Sequence, residues 1–173
     1  MKFSGTLAPL AVCAVRDAVL YHERLLQSET LRNRADYEEH TVNLSVFLDE
    51  IQHQYKKIEA GTGLPLAVFF DADVPVPVYH DESSDRPDAA AFIQISSPYA
   101  LLMVSSVRDA ILYRKSLLGD DASRENSRDQ KEYLTHLEEL LAFVKDEYKN
   151  IESKVGIPLE KILHSSYRLD RGP

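Results

Sequence analysis

An internal repeat constrains the fold of this chain more than any other feature of its sequence. Residues 15–26 (VRDAVLYHERLL) match residues 107–118 (VRDAILYRKSLL) at eight of twelve positions, 92 residues apart. Two later blocks match in the same order at a spacing of 93 residues: 55–59 with 148–152, and 63–66 with 156–159. Matches that keep their order and spacing predict a tandem duplication whose two copies pack with pseudo-two-fold symmetry.

Each copy begins with a predicted amphipathic helix. In the second copy, Ser97 and Pro98 are the residue types that favour a helix N-terminus, and the helix is expected to run to about Leu118. Its counterpart is expected from about Thr6 to about Ser28. Both carry a wide apolar face, which in the first copy comprises Leu7, Leu10, Ala14, Val15, Ala18, Tyr21 and Leu25.

The second helix of each copy has apolar residues at alternating steps of three and four. These are Tyr37, Thr41, Leu44, Leu48, Ile51, Tyr55 and Ile58 in the first copy, and Tyr133, Leu137, Leu140, Val144, Tyr148, Ile151 and Val155 in the second. This spacing is typical of helices that cross at a shallow angle in a bundle. Gly61, Gly63 and Gly156 mark the expected helix ends. The sequence therefore predicts an all-α, pseudo-two-fold four-helix bundle.

A different kind of sequence separates the two hairpins. We predict one domain in three parts: a first hairpin at 6–66, an extended, acidic and proline-rich linker at 67–96, and a second hairpin at 97–167 that ends in a short helix near 160–163. Apolar side chains in the linker could bind a partner, and the candidates are Phe69, Phe70, Val76 and Tyr79.

The charge and the single cysteine limit the possible partners and location. The chain has 28 acidic and 20 basic residues and a formal net charge of −8, so we expect no binding to nucleic acid, which requires a basic surface. A single cysteine, Cys13, cannot form an internal disulfide and fits a reducing compartment. It lies in an apolar run, where a buried thiol is expected. No apolar run reaches the roughly 20 residues needed to span a bilayer. We predict a cytoplasmic protein.

An Arg-Asp pair recurs inside the apolar first helix of each copy. Arg16 and Asp17 in the first copy correspond to Arg108 and Asp109 in the second. Because buried charges need partners, we expect salt bridges between the hairpins, with each arginine reaching an acid of the other copy. A shared polar pocket or a partner-binding patch is the alternative interpretation.

Two histidines occupy comparable places near the start of the second helices. His40 follows Asp36 by four residues, and His136 follows Glu132 by four, so each pair lies on one helix face. Together with the aspartates of the first helices, the candidate metal ligands are Asp17, His40, Asp109 and His136. Di-iron bundles use a similar set of residues but at a different spacing. We predict neither a metal nor any other cofactor, because such pairs usually form surface hydrogen bonds.

An arginine precedes the first of these histidines. Arg34 and His40 are separated by five residues, which resembles the motif of the all-α HEPN ribonucleases, whose paired copies cleave RNA. In the second copy seven residues separate Arg128 from His136. The resemblance covers seven residues of the chain and implies a nuclease-type helical enzyme.

The functional prediction is a non-enzymatic helical protein-interaction module, such as a regulator, an adaptor or an inhibitor of the antitoxin or immunity type. Its partner would be another protein or a second copy of the chain. The alternative is a metal-binding or HEPN-like bundle enzyme. The two differ in one structural property: an active or metal site requires the histidines and aspartates to converge within the bundle.

Overall fold

Four long helices form most of the structure. It is a computed structural model that describes residues 1–4, 7–70, 92–120 and 127–164. The elements in chain order are β1 (Lys2–Ser4), α1 (Leu7–Leu26), α2 (Arg34–Thr62), a 3₁₀ helix (Leu66–Phe70), β2 (Phe92–Gln94), α3 (Ser97–Asp120), α4 (Ser127–Lys149), α5 (Glu152–Val155) and α6 (Leu159–His164). The prediction of an all-α protein and that of a short final helix are confirmed.

Helices α1 and α3 lie at the centre of the molecule. Five consecutive residues are buried in each, at 11–15 in α1 and 103–107 in α3. A helix that is buried on all sides must be surrounded by other elements, and α1 contacts α2, α3 and α4. Cys13 lies in the first of these segments and is fully buried, as predicted.

Helices α2 and α4 lie outside the central pair and bury a single stripe each. The buried residues of α2 are Tyr37, Leu44, Phe47, Ile51, Tyr55 and Thr62, and those of α4 are Tyr133, Leu137, Leu140, Val144 and Tyr148. These stripes agree closely with the predicted spacing of three and four. Helix α2 packs on α1, and α4 packs on α3. The duplication and the closed bundle topology remain predictions.

The two central helices are antiparallel. Asp17 of α1 contacts Arg114 of α3, whereas His22, further along α1, contacts Asp109, which precedes Arg114 in α3. The direction of α1 is therefore opposite to that of α3. This arrangement brings the middle of each central helix against the C-terminal half of the other.

A short antiparallel strand pair precedes the central helices. Strand β1 pairs with β2 with Phe3 opposite Ile93, and both side chains are fully buried while their neighbours are exposed. No strand was predicted here, and Phe92–Gln94 fell within the predicted linker. Three residues are too few to produce a recognisable alternation of apolar and polar positions.

Glycines in the left-handed conformation end two helices. Gly63 follows α2 with φ +69°, and Gly156 follows α5 with φ +76°. In both cases the glycine N–H donates to a carbonyl four residues earlier, Glu59 or Glu152. Both glycines were predicted as helix ends, although α4 itself ends earlier, at Lys149.

The apolar linker residues have different environments. Phe69 is 1% exposed, and its ring packs edge-on against Tyr55 with centroids 5.1 Å apart. It therefore belongs to the core, whereas the prediction grouped it with apolar linker residues that could bind a partner. Phe70 is 41% exposed, while Val76 and Tyr79 lie outside the described residues.

Within the described ranges, no helix combines the length and apolarity that a membrane span would need.

Candidate metal centre

Two aspartates are buried between the central helices. Asp17 is 0% exposed and Asp109 is 1% exposed. Each is bonded by the arginine that precedes it, with Arg16 Nη2 2.6 Å from Asp17 Oδ1 and Arg108 Nη2 2.8 Å from Asp109 Oδ1. A charge this deeply buried needs such compensation, because desolvation of an unpaired carboxylate costs several kcal/mol.

The two arginines have a second role that the sequence analysis missed. Arg16 also donates to the carbonyl of Phe69, and Arg108 donates to the carbonyl of Ile162. We predicted that each arginine would reach an acid of the other half, but each bonds the aspartate that follows it. A long arginine side chain can turn back along its own helix, so the aspartate beside it is within reach.

Asp17 receives its remaining donors from the other half of the chain. Arg114 of α3 binds it in bidentate fashion, with Nε–Oδ2 2.6 Å and Nη2–Oδ1 2.8 Å. Tyr133 of α4 donates its hydroxyl to Oδ2 at 3.1 Å. Paired N–H donors match the geometry of a carboxylate, and they make a strong, oriented contact. We call Arg16, Asp17, Arg114 and Tyr133 the arginine site.

Asp109 has a histidine where Asp17 has Arg114. The ring N–H of His22 on α1 donates from Nε2 to Asp109 Oδ2 at 2.9 Å, while Arg108 contacts Oδ1. Burial by itself would raise the pKa of Asp109, but the His22 hydrogen bond and the Arg108 charge outweigh it and lower the pKa. The carboxylate is therefore ionised at neutral pH.

His40 of α2 completes this second cluster. Its ring packs edge-on against His22 with centroids 4.7 Å apart. Burial, together with the neighbouring His22 and Arg108, lowers the pKa of His40 from 6.5 to about 4, so its imidazole is neutral at pH 7. We call Arg108, Asp109, His22 and His40 the histidine site.

Three possible metal ligands meet in the histidine site. One ligand atom each from His22, His40 and Asp109 lies within 4.8 Å of the other two. The three residues come from three helices, α1, α2 and α3, and His22 is fully buried. Two imidazoles and one carboxylate form a donor set that suits first-row transition metals.

The structure separates the four metal ligands considered from the sequence. His40 and Asp109 converge, but Asp17 is enclosed by the arginine site. His136 lies on α4, where Nδ1 is 3.3 Å from a carboxylate oxygen of Glu139, and among the described residues it joins no group of metal-ligand type. Tyr133, one turn before His136, lies in the buried stripe of α4, and it is Tyr133 that contacts Asp17.

His22 was missed, although the sequence contains a signal for it. His22 aligns with Arg114 when residues 15–26 are matched to residues 107–118, so a guanidinium in one segment corresponds to a possible metal ligand in the other. The acid preceding His40, Asp36, is exposed and lies outside the cluster. Arg34 of the HEPN-like motif is also exposed and pairs with Glu38 at 3.0 Å, while His40 packs on His22.

Comparisons with known protein families, with curated proteins and with solved structures found no match to this chain.

Proposed function

We propose that this protein binds a divalent transition-metal ion through His22, His40 and Asp109. The observation that carries the proposal is the convergence of these three side chains, from three different helices, within 4.8 Å. Imidazole ligands favour ions such as Zn²⁺, Fe²⁺, Co²⁺ or Ni²⁺ over Mg²⁺ and Ca²⁺, which prefer sites made of oxygen atoms. Of the two functions weighed from the sequence, convergence of histidine and aspartate favours the metal-binding one.

The protonation states support metal binding at neutral pH. The lowered pKa of Asp109 keeps it anionic, and the lowered pKa of His40 keeps its imidazole neutral. Metal ligands must be deprotonated, so neither residue needs to lose a proton to an incoming ion.

The nearby arginine does not occupy the whole carboxylate. Arg108 contacts Oδ1 of Asp109 through both Nε and Nη2, whereas Oδ2 faces His22. An ion bound by Oδ2 and the imidazoles would thus share Asp109 with Arg108, one cation to each oxygen. A metal-binding carboxylate is commonly oriented by hydrogen bonds from residues that do not themselves bind the ion.

The ligand atoms need only small movements to reach bonding distance. Bonds of about 2.0–2.1 Å in a tetrahedral site place ligand atoms about 3.3 Å apart. The 2.9 Å separation of His22 Nε2 and Asp109 Oδ2 is close to that value, and the proton that Nε2 donates to Asp109 must move to Nδ1 before Nε2 binds an ion. The separations that involve His40 are within 4.8 Å, so they exceed the tetrahedral value by about 1.5 Å or less.

Elemental analysis and metal titration test this proposal. Protein freed of metal with EDTA is titrated with Zn²⁺ by calorimetry, and with Co²⁺ by visible absorption, which reports tetrahedral coordination. We expect one ion per chain, and we expect His40→Ala to weaken binding by at least about 100-fold. His136→Ala is the matched control, because it removes a histidine from the other outer helix and should leave affinity unchanged. Absence of binding by the wild type, or equal loss in both variants, would refute the proposal.

We also propose that the chain arose by tandem duplication and folds as a pseudo-two-fold bundle. Equivalent contacts recurring at spacings of 92 and 93 residues support this. The arginine–carbonyl contacts are one such pair. In a second pair, Tyr55 OH donates to the Leu64 carbonyl and Tyr148 OH donates to the Ile157 carbonyl. In a third pair, the Leu66 N–H donates to the Glu59 carboxylate and the Leu159 N–H donates to the Glu152 carboxylate. Conserved order, spacing and contacts are what a duplicated structural unit would retain.

Binding of another protein is a second candidate function, favoured by one observation on α2. Val42 and Val46 are 62% and 53% exposed and lie one turn apart, next to the exposed acids Glu39 and Asp49. An apolar pair with acidic neighbours suits a basic, amphipathic partner. Light scattering of the wild type and of Val42→Ser/Val46→Ser tests the simplest case: a dimer that the substitutions convert to a monomer identifies a second copy as the partner.

A further inference from the structure

The arginine site and the histidine site are built from corresponding groups. They differ in the side chain that the other central helix places beside the aspartate. Each has an aspartate on one central helix, bonded by the preceding arginine. Each then receives a group from the other central helix: Arg114 in the arginine site and His22 in the histidine site. An outer helix contributes the last group, Tyr133 from α4 or His40 from α2.

The compensation of charge differs between the two sites. Asp17 faces two guanidinium groups, which stay protonated at any ordinary pH. Asp109 faces one guanidinium and, through His22, an imidazole that is shorter than an arginine side chain and carries no permanent charge. His40 packs beside this imidazole, with its ring centroid 4.7 Å from that of His22.

Taking the proposed function as its basis, we infer that the metal ion is structural: beside Asp109 it takes the position that the Arg114 guanidinium takes beside Asp17. The arginine site connects α1, α3 and α4 through side chains of the protein alone. The histidine site brings α1, α2 and α3 together, and an ion bound there would add bonds that join His40 on α2 to His22 and Asp109 on the central helices. Loading the site fastens α2 to the central helices, so that metal binding and the stability of the α2 contact are thermodynamically linked.

Burial of the ligands agrees with a structural ion. His22 and Asp109 are 0% and 1% exposed, and His40 is only partly exposed. The ion would have three protein ligands and water in the fourth position, so enclosure by three helices, and not the number of ligands, is what favours a structural role.

The decisive variant is His22→Arg, which copies the arginine site into the histidine site. Thermal unfolding is measured for EDTA-treated protein with and without Zn²⁺. At a hundredfold excess over the dissociation constant, Zn²⁺ should raise the wild-type Tm by about 5–10 °C. His22→Arg without metal should unfold within about 2 °C of the zinc-loaded wild type, and Zn²⁺ should not shift it further. Arg114→His is the matched control: it should lower Tm, because Asp17 loses its bidentate partner, while one ion still binds per chain.

Hydrogen exchange gives a second measurement on the wild type, which remains informative if His22→Arg does not fold. Zn²⁺ should slow amide exchange around His40 in α2 and leave exchange around His136 in α4 unchanged.

The outcomes separate this inference from the proposed function. Zinc binding that leaves α2 exchange unchanged, together with a metal-free His22→Arg far less stable than the zinc-loaded wild type, would overturn the structural role and leave metal binding intact. A wild type that binds no metal would refute both.

Discussion

At the scale of single residues, the position occupied by His22 and Arg114 distinguishes the two halves of the protein. Both side chains reach across to a buried aspartate, one as a guanidinium and the other as an imidazole. Asp109 is consequently paired with one guanidinium, that of Arg108, whereas Asp17 is paired with two. Burial raises the pKa of Cys13 to about 12, so its thiol stays protonated at neutral pH.

The lowered pKa of His40 makes the metal-free protein sensitive to acid. A histidine whose folded-state pKa lies below 6.5 contributes stability that is complete above pH 6.5 and is lost as pH falls toward about 4. Because the side chain is partly exposed, we expect its contribution to fall by roughly 1 kcal/mol between pH 7 and pH 5.

Urea unfolding of EDTA-treated wild type and His40→Asn at both pH values measures this contribution. Between pH 7 and pH 5, the unfolding free energy of the wild type should fall by more than that of His40→Asn. A difference that is independent of pH would show that His40 is solvated like an ordinary surface histidine.

At the scale of elements, composition separates the central from the outer helices. Small residues surround the buried aspartates, with Ala14 and Ala18 near Asp17 in α1 and Ser106 and Ala110 near Asp109 in α3. Short side chains are compatible with the close approach of α1 and α3 and leave room for the charged groups between them. The outer helices need only one apolar stripe, so the rest of their surface carries the acidic residues.

Two helix C-termini depend on glycine for a backbone reason alone. A Cβ added at Gly63 or Gly156 would have no heavy atom within 4 Å, but both residues have positive φ, which disfavours other L-residues. Gly63→Ala and Gly156→Ala should each lower the free energy of unfolding by about 1 kcal/mol.

Gly61→Ala is the contrasting control, because Gly61 lies inside α2 and alanine favours helix there. It should raise stability by roughly 0.5–1 kcal/mol. Chemical denaturation measures the unfolding free energy of the three variants. Equal effects of all three substitutions would contradict the assignment of Gly63 and Gly156 as left-handed caps.

At the scale of the whole molecule, the two halves share a single core. One continuous cluster of buried apolar residues contains Phe3, Val12 and Phe47 from the first half and Ile93, Val104 and Leu140 from the second. The antiparallel pair of β1 and β2 and the ion pair of Asp17 with Arg114 join the same halves. Neither half can bury its central helix alone, so they should behave as one cooperative unit.

Separation of the halves tests this interdependence. Fragments 1–70 and 92–173, each expressed alone, should give circular dichroism spectra of weak helicity and no cooperative thermal transition. Mixing them should restore helicity and produce a 1:1 complex by light scattering. Cooperative unfolding of either fragment alone would show that each hairpin is an independent domain.

The sequence by itself determined the four long helices and the buried stripes of α2 and α4, but not the strands β1 and β2. Apolar residues spaced by three and four identified the stripes of α2 and α4, because helical periodicity is a local property. It also indicated Asp109 and His40 as candidates, but not that they meet. Only the tertiary structure decided that Phe69 is a core residue, that Arg114 compensates Asp17, and that His22 joins His40 beside Asp109. The Asp17–Arg114 and His22–Asp109 contacts join residues 97 and 87 positions apart and depend on the packing of α1 against α3, which no local pattern encodes.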